Sequence, residues 1–272
     1  MTETPLVFDS VTHLTTELAG SVSVCASHGG RYCGIYAARM GTAGIVLCDA
    51  SVGRDRAGIG ALDVLQDLGV PAAVISHTSA RIGDGRDCYF NGRISHMNRA
   101  AYEIGIEPGA SASDTYAMMV IHSLGNRLHT VPDMDEARIE AVLEGYPAAR
   151  LVITDSNGLI LPSDAGAIVV SGSHGGLLGG RPETAAKADV SALVCNDAGK
   201  GKDDAGVTRL PALQAKGIAA ACVSAESARI GEGRSTYEDG IISAVNAAAE
   251  QRGGRVGQSC RDFVVAMAQT MG

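Results

Sequence analysis

The chain has 272 residues, a net charge of −8, 35 glycines, three phenylalanines and no tryptophan. That length can bury one large core or two of ordinary size. The negative charge disfavours a nucleic-acid backbone or an anionic membrane as partner, and the scarcity of aromatics leaves no platform for stacking bases, although a local pocket can still hold a small anion.

The chain opens with Met1 to Pro5, which has no basic segment leading into an apolar run, so no signal peptide is expected. No apolar stretch reaches membrane-spanning length. A short strand is expected over 6–9, then an apolar strand over 21–26 ending at Ser27-His28-Gly29-Gly30, and a helix to about Met40. A second strand over 44–48 ends at Asp49-Ala50. The next helix carries Leu62, Leu65 and Leu68 and stops at Gly69. A third strand over 70–76 ends at Ser79-Ala80-Arg81-Ile82-Gly83, after which two helices are expected, the second opened by Ser111 with Asp114 at capping-box spacing. Residues 132–146 read as a connecting helix with Asp133 as N-cap.

The same order then returns. A strand over 151–155 runs into Asp155-Ser156-Asn157-Gly158, which has hairpin-turn chemistry. A strand over 167–172 ends at Ser173-His174-Gly175-Gly176, with a helix expected to about Ala188. A strand over 192–195 ends at Asp197-Ala198, a helix with Leu210 and Leu213 stops at Gly217, and a strand over 218–224 ends at Ser227-Ala228-Arg229-Ile230-Gly231. Ser259 with Asp262 repeats the cap. The offset grows only from 146 (His28 to His174) to 148 (Arg81 to Arg229). Alternating strands and helices predict an α/β fold. The expected organisation is an internal duplication: a first lobe over 1–123, a helical linker over 124–150, and a second lobe over 151–272. Each lobe would be of βαβαβ type with a mostly parallel sheet, the two related by a pseudo-twofold axis as in a fused homodimer.

A fold needs only apolar periodicity, so repeated polar loops suggest a repeated site. All three loops follow a strand and precede a helix, which brings them to the carboxyl edge of a parallel sheet, where ligands bind. In the first loop, Gly29, Gly30, Gly175 and Gly176 suit an anion nest at a helix N-terminus. Ser27 and Ser173 suit attack or ligand bonding, and His28 and His174 suit proton transfer. The bland reading is a tight turn with a capping Ser. In the second loop Asp49 and Asp197 are candidate acid/base groups, while Asp55 and Asp203 suit N-caps. Lys200 stands where the first copy has Val52, and would hold an anion or simply face solvent. In the third, Arg81 and Arg229 suit either a ligand carboxylate or pairing with Asp84, Glu232 or the other copy's aspartates. His77-Thr78 becomes Ala225-Glu226 in the second copy, a difference that fits either divided labour or drift.

Walker A, strand-linked GxGxxG, EF-hand, HExxH and GxSxG patterns are absent from the sequence. No cofactor or metal is therefore expected. Seven cysteines without a CxxC pair suggest buried free thiols in a reducing cytoplasm. These readings point first to a cytoplasmic hydrolase cleaving a C–N bond, amide or cyclic amide, of a small carboxylate-bearing metabolite. An isomerase or lyase abstracting a proton next to a carbonyl, and a non-catalytic metabolite-binding or scaffold protein, are the alternatives. A homo-oligomer is compatible with each.

Overall fold

The computed structural model describes residues 4–123, 131 and 136–271. It divides into two compact units. Unit one comprises Met1–Val52, Arg56–Met134 and Gly201–Asp203; unit two comprises Gly53–Asp55, Asp135–Lys200 and Asp204–Gly272.

Unit one runs β1 (Val7–Phe8), β2 (Val22–His28), α1 (Arg31–Arg39), β3 (Gly44–Cys48), α2 (Ala61–Asp67), β4 (Ala72–Ile75), α3 (Gly85–Asn91), β5 (Ile94–Met97), α4 (Arg99–Glu103) and α5 (Ala112–Ile121). Its sheet has the order β1-β2-β3-β4-β5, with β1 to β4 parallel and β5 antiparallel to β4. β2, β3 and β4 are buried along their whole length, as central parallel strands covered on both faces must be. Cys25, Ile45, Leu47 and Val74 pack in one cluster with Ala37, Leu62 and Leu65 of α1 and α2. α3 and α5 pack against β2.

Unit two runs β6 (Arg138–Leu143), β7 (Tyr146–Thr154), β8 (Ile168–His174), β9 (Ala192–Asn196), α6 (Arg209–Ala215), β10 (Ala219–Val223), α7 (Gly233–Asp239), β11 (Ile242–Val245), α8 (Ala247–Gln251) and α9 (Cys260–Gln269). The sheet order is β11-β10-β9-β8-β7-β6, with β7 to β10 parallel and an antiparallel strand at each edge. Phe263 and Met267 of α9 close one face over Leu151, Ile153 and Val170; Leu210 and Leu213 of α6 close the other over Val169 and Leu193. The chain is thus an α/β protein with two mostly parallel sheets.

Four expectations are corrected. Part of the expected helical linker is a strand: residues 138–143 form β6, hairpinned to β7. Its Glu, Ala and Leu are good helix formers, but intrinsic propensity is a weak determinant and pairing with β7 overrides it. Asp133 lies outside the described residues. The Asp155 turn does not make a hairpin, since β7 pairs parallel to β8 through a 3-10 turn over Asn157–Leu159. Instead Asp155 Oδ1 accepts from Gly233 N–H at 2.9 Å, as Asp9 accepts from Gly85 at 3.0 Å. The helix expected to reach Ala188 is replaced by two 3-10 turns, Leu178–Gly180 and Pro182–Thr184, because Gly179 and Gly180 take φ of 59° and 66° and Pro182 removes a donor. Finally, each unit interposes an antiparallel strand, β5 or β11, between the third loop and its last two helices. The N-caps on those last helices are as expected: Ser111 Oγ accepts from Asp114 N–H at 3.0 Å and Ser259 Oγ from Asp262 N–H at 3.1 Å.

Candidate functional site

The three polar loops leave the carboxyl ends of β2, β3 and β4 in unit one, and of β8, β9 and β10 in unit two. Each loop shows what its repeated residues do.

In the first loop, Gly29 N–H donates to Cys48 O at 2.6 Å and Gly175 N–H to Asn196 O at 2.8 Å. Gly30 and Gly176 N–H each donate to Nδ1 of the preceding histidine, His28 or His174, at 3.1 Å. Every glycine N–H assigned to an anion nest is therefore spent internally, and the motif is a closed turn. The glycines are needed for close approach: a Cβ on Gly29 would stand 2.7 Å from Gly58 O, and one on Gly175 2.6 Å from Gly206 O. Burial pushes the His28 ring down to about 4, so it is neutral, with Nδ1 the acceptor. Ser27 Oγ accepts from Val11 N–H and Ser173 Oγ from Asn157 N–H, both at 2.9 Å, which fastens the preceding segment to the strand end. These bonds account for the repeated Ser, His and Gly without a ligand.

The second loop has unusual backbone. Among the described residues, every non-glycine with positive φ lies within 50–56 or 198–204. Ala50, Ser51, Val52 and Gly53 run at φ of 44°, 62°, 65° and 64°; Ala198, Gly199, Lys200 and Gly201 run at 50°, 73°, 60° and 71°. Left-handed backbone costs about 1–2 kcal/mol per non-glycine residue, most awkwardly for β-branched Val52. The strand-end aspartate offsets that cost. Asp49 Oδ1 accepts from Ser51 N–H at 3.1 Å and His77 N–H at 2.8 Å, and Oδ2 from Ser95 Oγ at 2.8 Å. Asp197 makes the same set with Gly199 N–H (2.9 Å), Ala225 N–H (2.9 Å) and Ser243 Oγ (2.7 Å).

Unit one adds two side chains to this frame. His77 Nδ1 lies 3.0 Å from Asp49 Oδ1, where unit two has Ala225. Ser51 stands where unit two has Gly199, and its Oγ is buried with no hydrogen-bond partner among the described residues. Burial alone would raise the Asp49 carboxyl, but the hydrogen bonds from His77 and Ser95 outweigh it and hold the carboxyl below its usual range. Asp49 is 3% exposed, whereas the His77 side chain is 25% exposed. The ring is the part of this pair that reaches solvent.

The tip of each second loop engages the third loop. In unit one, Lys202 N–H donates to His77 O at 2.8 Å and Lys202 Nζ reaches Asp87 at 3.0 and 3.1 Å. Asp87 also accepts from Arg81 N–H at 2.7 Å, Arg81 Nη2 at 3.2 Å and Asn91 Nδ2 at 2.8 Å. Arg81 Nη1 bonds Asp203 at 3.2 Å. In unit two, Arg54 N–H donates to Ala225 O at 2.9 Å, Arg54 Nη1 lies 3.5 Å from Asp239, and Arg229 bonds Asp55 at 3.0 Å and Glu232 at 2.7 Å. Arg81 and Arg229 thus take protein carboxylates, the pairing alternative. Asp55 and Asp203 are their partners. Lys200 is exposed, and the nest it was to assist is closed.

Ser95, Ser243 and Asp87 escaped sequence reasoning. Ser95 and Ser243 recur at the common offset and were detectable; Asp87 aligns with a different residue, Ser235, and carried no such signal. No group of three metal-ligating side chains occurs among the described residues. A cavity of about 900 Å³ lined by Leu6, Tyr89, Tyr116 and Val120 includes none of the nominated residues. Compared with protein families, with curated proteins and with solved structures, the chain has no match.

Proposed function

We propose that unit one carries the working site of a hydrolase for a C–N bond, amide or cyclic amide, in a small carboxylate-bearing metabolite. Asp49 and His77 form its acid/base couple. One observation carries the reading: His77 and Ser51 are added at a strand-end aspartate whose remaining bonds are the same in both units. The ionised Asp49 holds the ring through Nδ1, and in this proposal the imidazole takes a proton from water as it attacks the carbonyl and returns it to the leaving nitrogen. Ser51 Oγ gains its missing partner when substrate or water enters. Backbone strain concentrated beside the couple accords with a functional loop. Ser27 and Ser173, whose hydroxyls serve the backbone, are not the nucleophiles in this scheme.

The two units descend, in this proposal, from one ancestral half. Their common order of elements and the matching bonds at Asp49/Asp197 and Asp9/Asp155 support that. Seven free, buried cysteines accord with a reducing, cytoplasmic setting.

The test is turnover of a panel of small amides and cyclic amides carrying an acid group, in ¹⁸O-labelled water and, in parallel, in deuterated water. Label in a new product carboxylate, lost in His77→Ala with the melting temperature retained, is the expected result. Exchange of a carbon-bound proton without label would mean an isomerase or lyase at the same couple. A scaffold role is the second reading, favoured because the repeated Ser, His, Gly and Arg all end in internal bonds. It is the reading left if no panel member turns over.

A further inference from the structure

Unit two contains a buried arginine with no acid. Arg209 opens α6 and is 5% exposed. Its Nη1 donates to the carbonyls of Thr184 and Ala185, the latter at 2.8 Å. Its Nε is buried without a hydrogen-bond partner among the described residues, and no Asp or Glu there forms an ion pair with it. Ala185, whose carbonyl it bonds, and its chain neighbour Leu210 belong to an apolar cluster with Leu177 and Cys195.

Unit one shows what the position needs structurally. Ala61 N–H donates to Gly29 O at 2.7 Å as Arg209 N–H donates to Gly175 O at 2.8 Å, so the two are equivalent, and Ala61 is fully buried under α1. Unit two lacks that helix and has the guanidinium instead. A second polar replacement borders the same apolar cluster. Asn157, whose N–H bonds Ser173 as Val11 bonds Ser27, has its Oδ1 buried without a partner. Asn157 Nδ2 lies 3.9 Å from Cys195 Sγ, and the positive charge of Arg209 acts on that same thiol. Two apolar core positions of unit one have thus become polar in unit two, and each leaves an atom unsatisfied.

We propose that Arg209 binds a small carboxylate in unit two through its Nε–Nη2 edge, with Asn157 as a neighbouring polar contact. Carbonyls anchor Nη1 and orient the fork, and the two parallel N–H groups of the opposite edge match a carboxylate's two oxygens. A buried guanidinium is otherwise left without a counter-charge. This site does not depend on the acid/base couple of unit one.

The test titrates the full chain with sodium acetate, following the Arg209 Nε–H resonance by NMR and the melting temperature, with chloride and inorganic phosphate at matched ionic strength. Wild type is expected to bind acetate saturably. Arg209→Lys should weaken binding about tenfold or more, since an ammonium cannot present the fork. Arg209→Ala, the residue of unit one, should abolish it. No saturable response in wild type, undiminished acetate binding in Arg209→Lys, or an equal response to chloride would each overturn the proposal. Tighter binding of phosphate would overturn the carboxylate assignment. Arg209→Lys keeps the test decisive if Arg209→Ala fails to fold.

Discussion

Asp49 holds His77 at two atoms: Oδ1 accepts the backbone N–H at 2.8 Å and lies 3.0 Å from ring Nδ1. The backbone bond recurs at Asp197 and Ala225, so the fold requires it; the ring bond occurs only in unit one. The aspartate is thus a structural group of the left-handed loop first, and an orienting group for the histidine by addition. Asp49→Asn should therefore lose stability and, under the proposed function, turnover as well, whereas His77→Ala should spare the loop. The two substitutions separate the roles in one melting experiment.

His28 should make stability pH-dependent in a window of its own. Its folded value is depressed to about 4 by burial, so the unfolded chain binds the proton first. Its contribution is present above pH ~6.5 and is lost as pH falls toward about 4, a change of roughly 3 kcal/mol. Asp49 and Asp87, both held below their usual range, lose their contributions only below pH ~4. Urea unfolding of wild type and His28→Asn at pH 7 and pH 5 checks this. Asparagine keeps an acceptor for Gly30 N–H, so its pH 7 to pH 5 difference should shrink; an unchanged slope would remove His28 as the cause.

Ser51→Gly copies the residue of unit two. It relieves a left-handed φ of 62° and removes a buried hydroxyl without a partner. A stability gain of about 1 kcal/mol is expected, after the greater chain entropy of glycine is set against the strain. The reciprocal Gly199→Ser should cost a similar amount. If Ser51 serves the substrate, turnover falls while the melting temperature rises, the usual trade at a strained site.

The arginines of the third loops should matter less than their repetition suggests. Arg81 and Arg229 are 42% and 34% exposed, and their partners Asp203 and Asp55 are each 61% exposed. Solvent screens such pairs, so Arg229→Ala should cost about 1 kcal/mol or less. Arg81→Ala should cost somewhat more, because Arg81 also faces the buried carboxylate of Asp87. Equal effects of the two substitutions on thermal unfolding would contradict this ordering.

The α/β class, the buried parallel strands and the loop positions were legible because apolar runs and Gly stops mark them. Much of the chemistry was not. Ser27, His28 and the paired glycines read as a nest in sequence, whereas in the fold His28 Nδ1 and Cys48 O already hold those N–H groups. β5 and β11 have four residues each and lie between helices, too short for a periodicity of their own. Val52 and Lys200 at positive φ leave no local signal, because neither residue type favours that backbone. Repetition revealed what both units share and concealed what only one has, such as Asp87, Ser51 and Arg209.

Asp87 of α3 and Ser235 of α7 hold equivalent places, each accepting from the N–H of its arginine, Arg81 or Arg229. In unit two the acid stands one helical turn further along, at Asp239, where Ser235 Oγ donates to it at 2.9 Å. The cation reaching it changes in step, from Lys202 to the longer, forked Arg54. Asp87→Ser alone should therefore leave Lys202 without its carboxylate and cost about 2 kcal/mol, a figure lowered by the partial exposure of the lysine. Asn91→Asp should restore part of that by placing an acid one turn on, and Lys202→Arg on top of both should restore most of the remainder. Lys202→Arg alone should gain nothing, since Asp87 already accepts the shorter side chain. A triple variant no more stable than Asp87→Ser, by urea unfolding, would show that the two arrangements are not interchangeable.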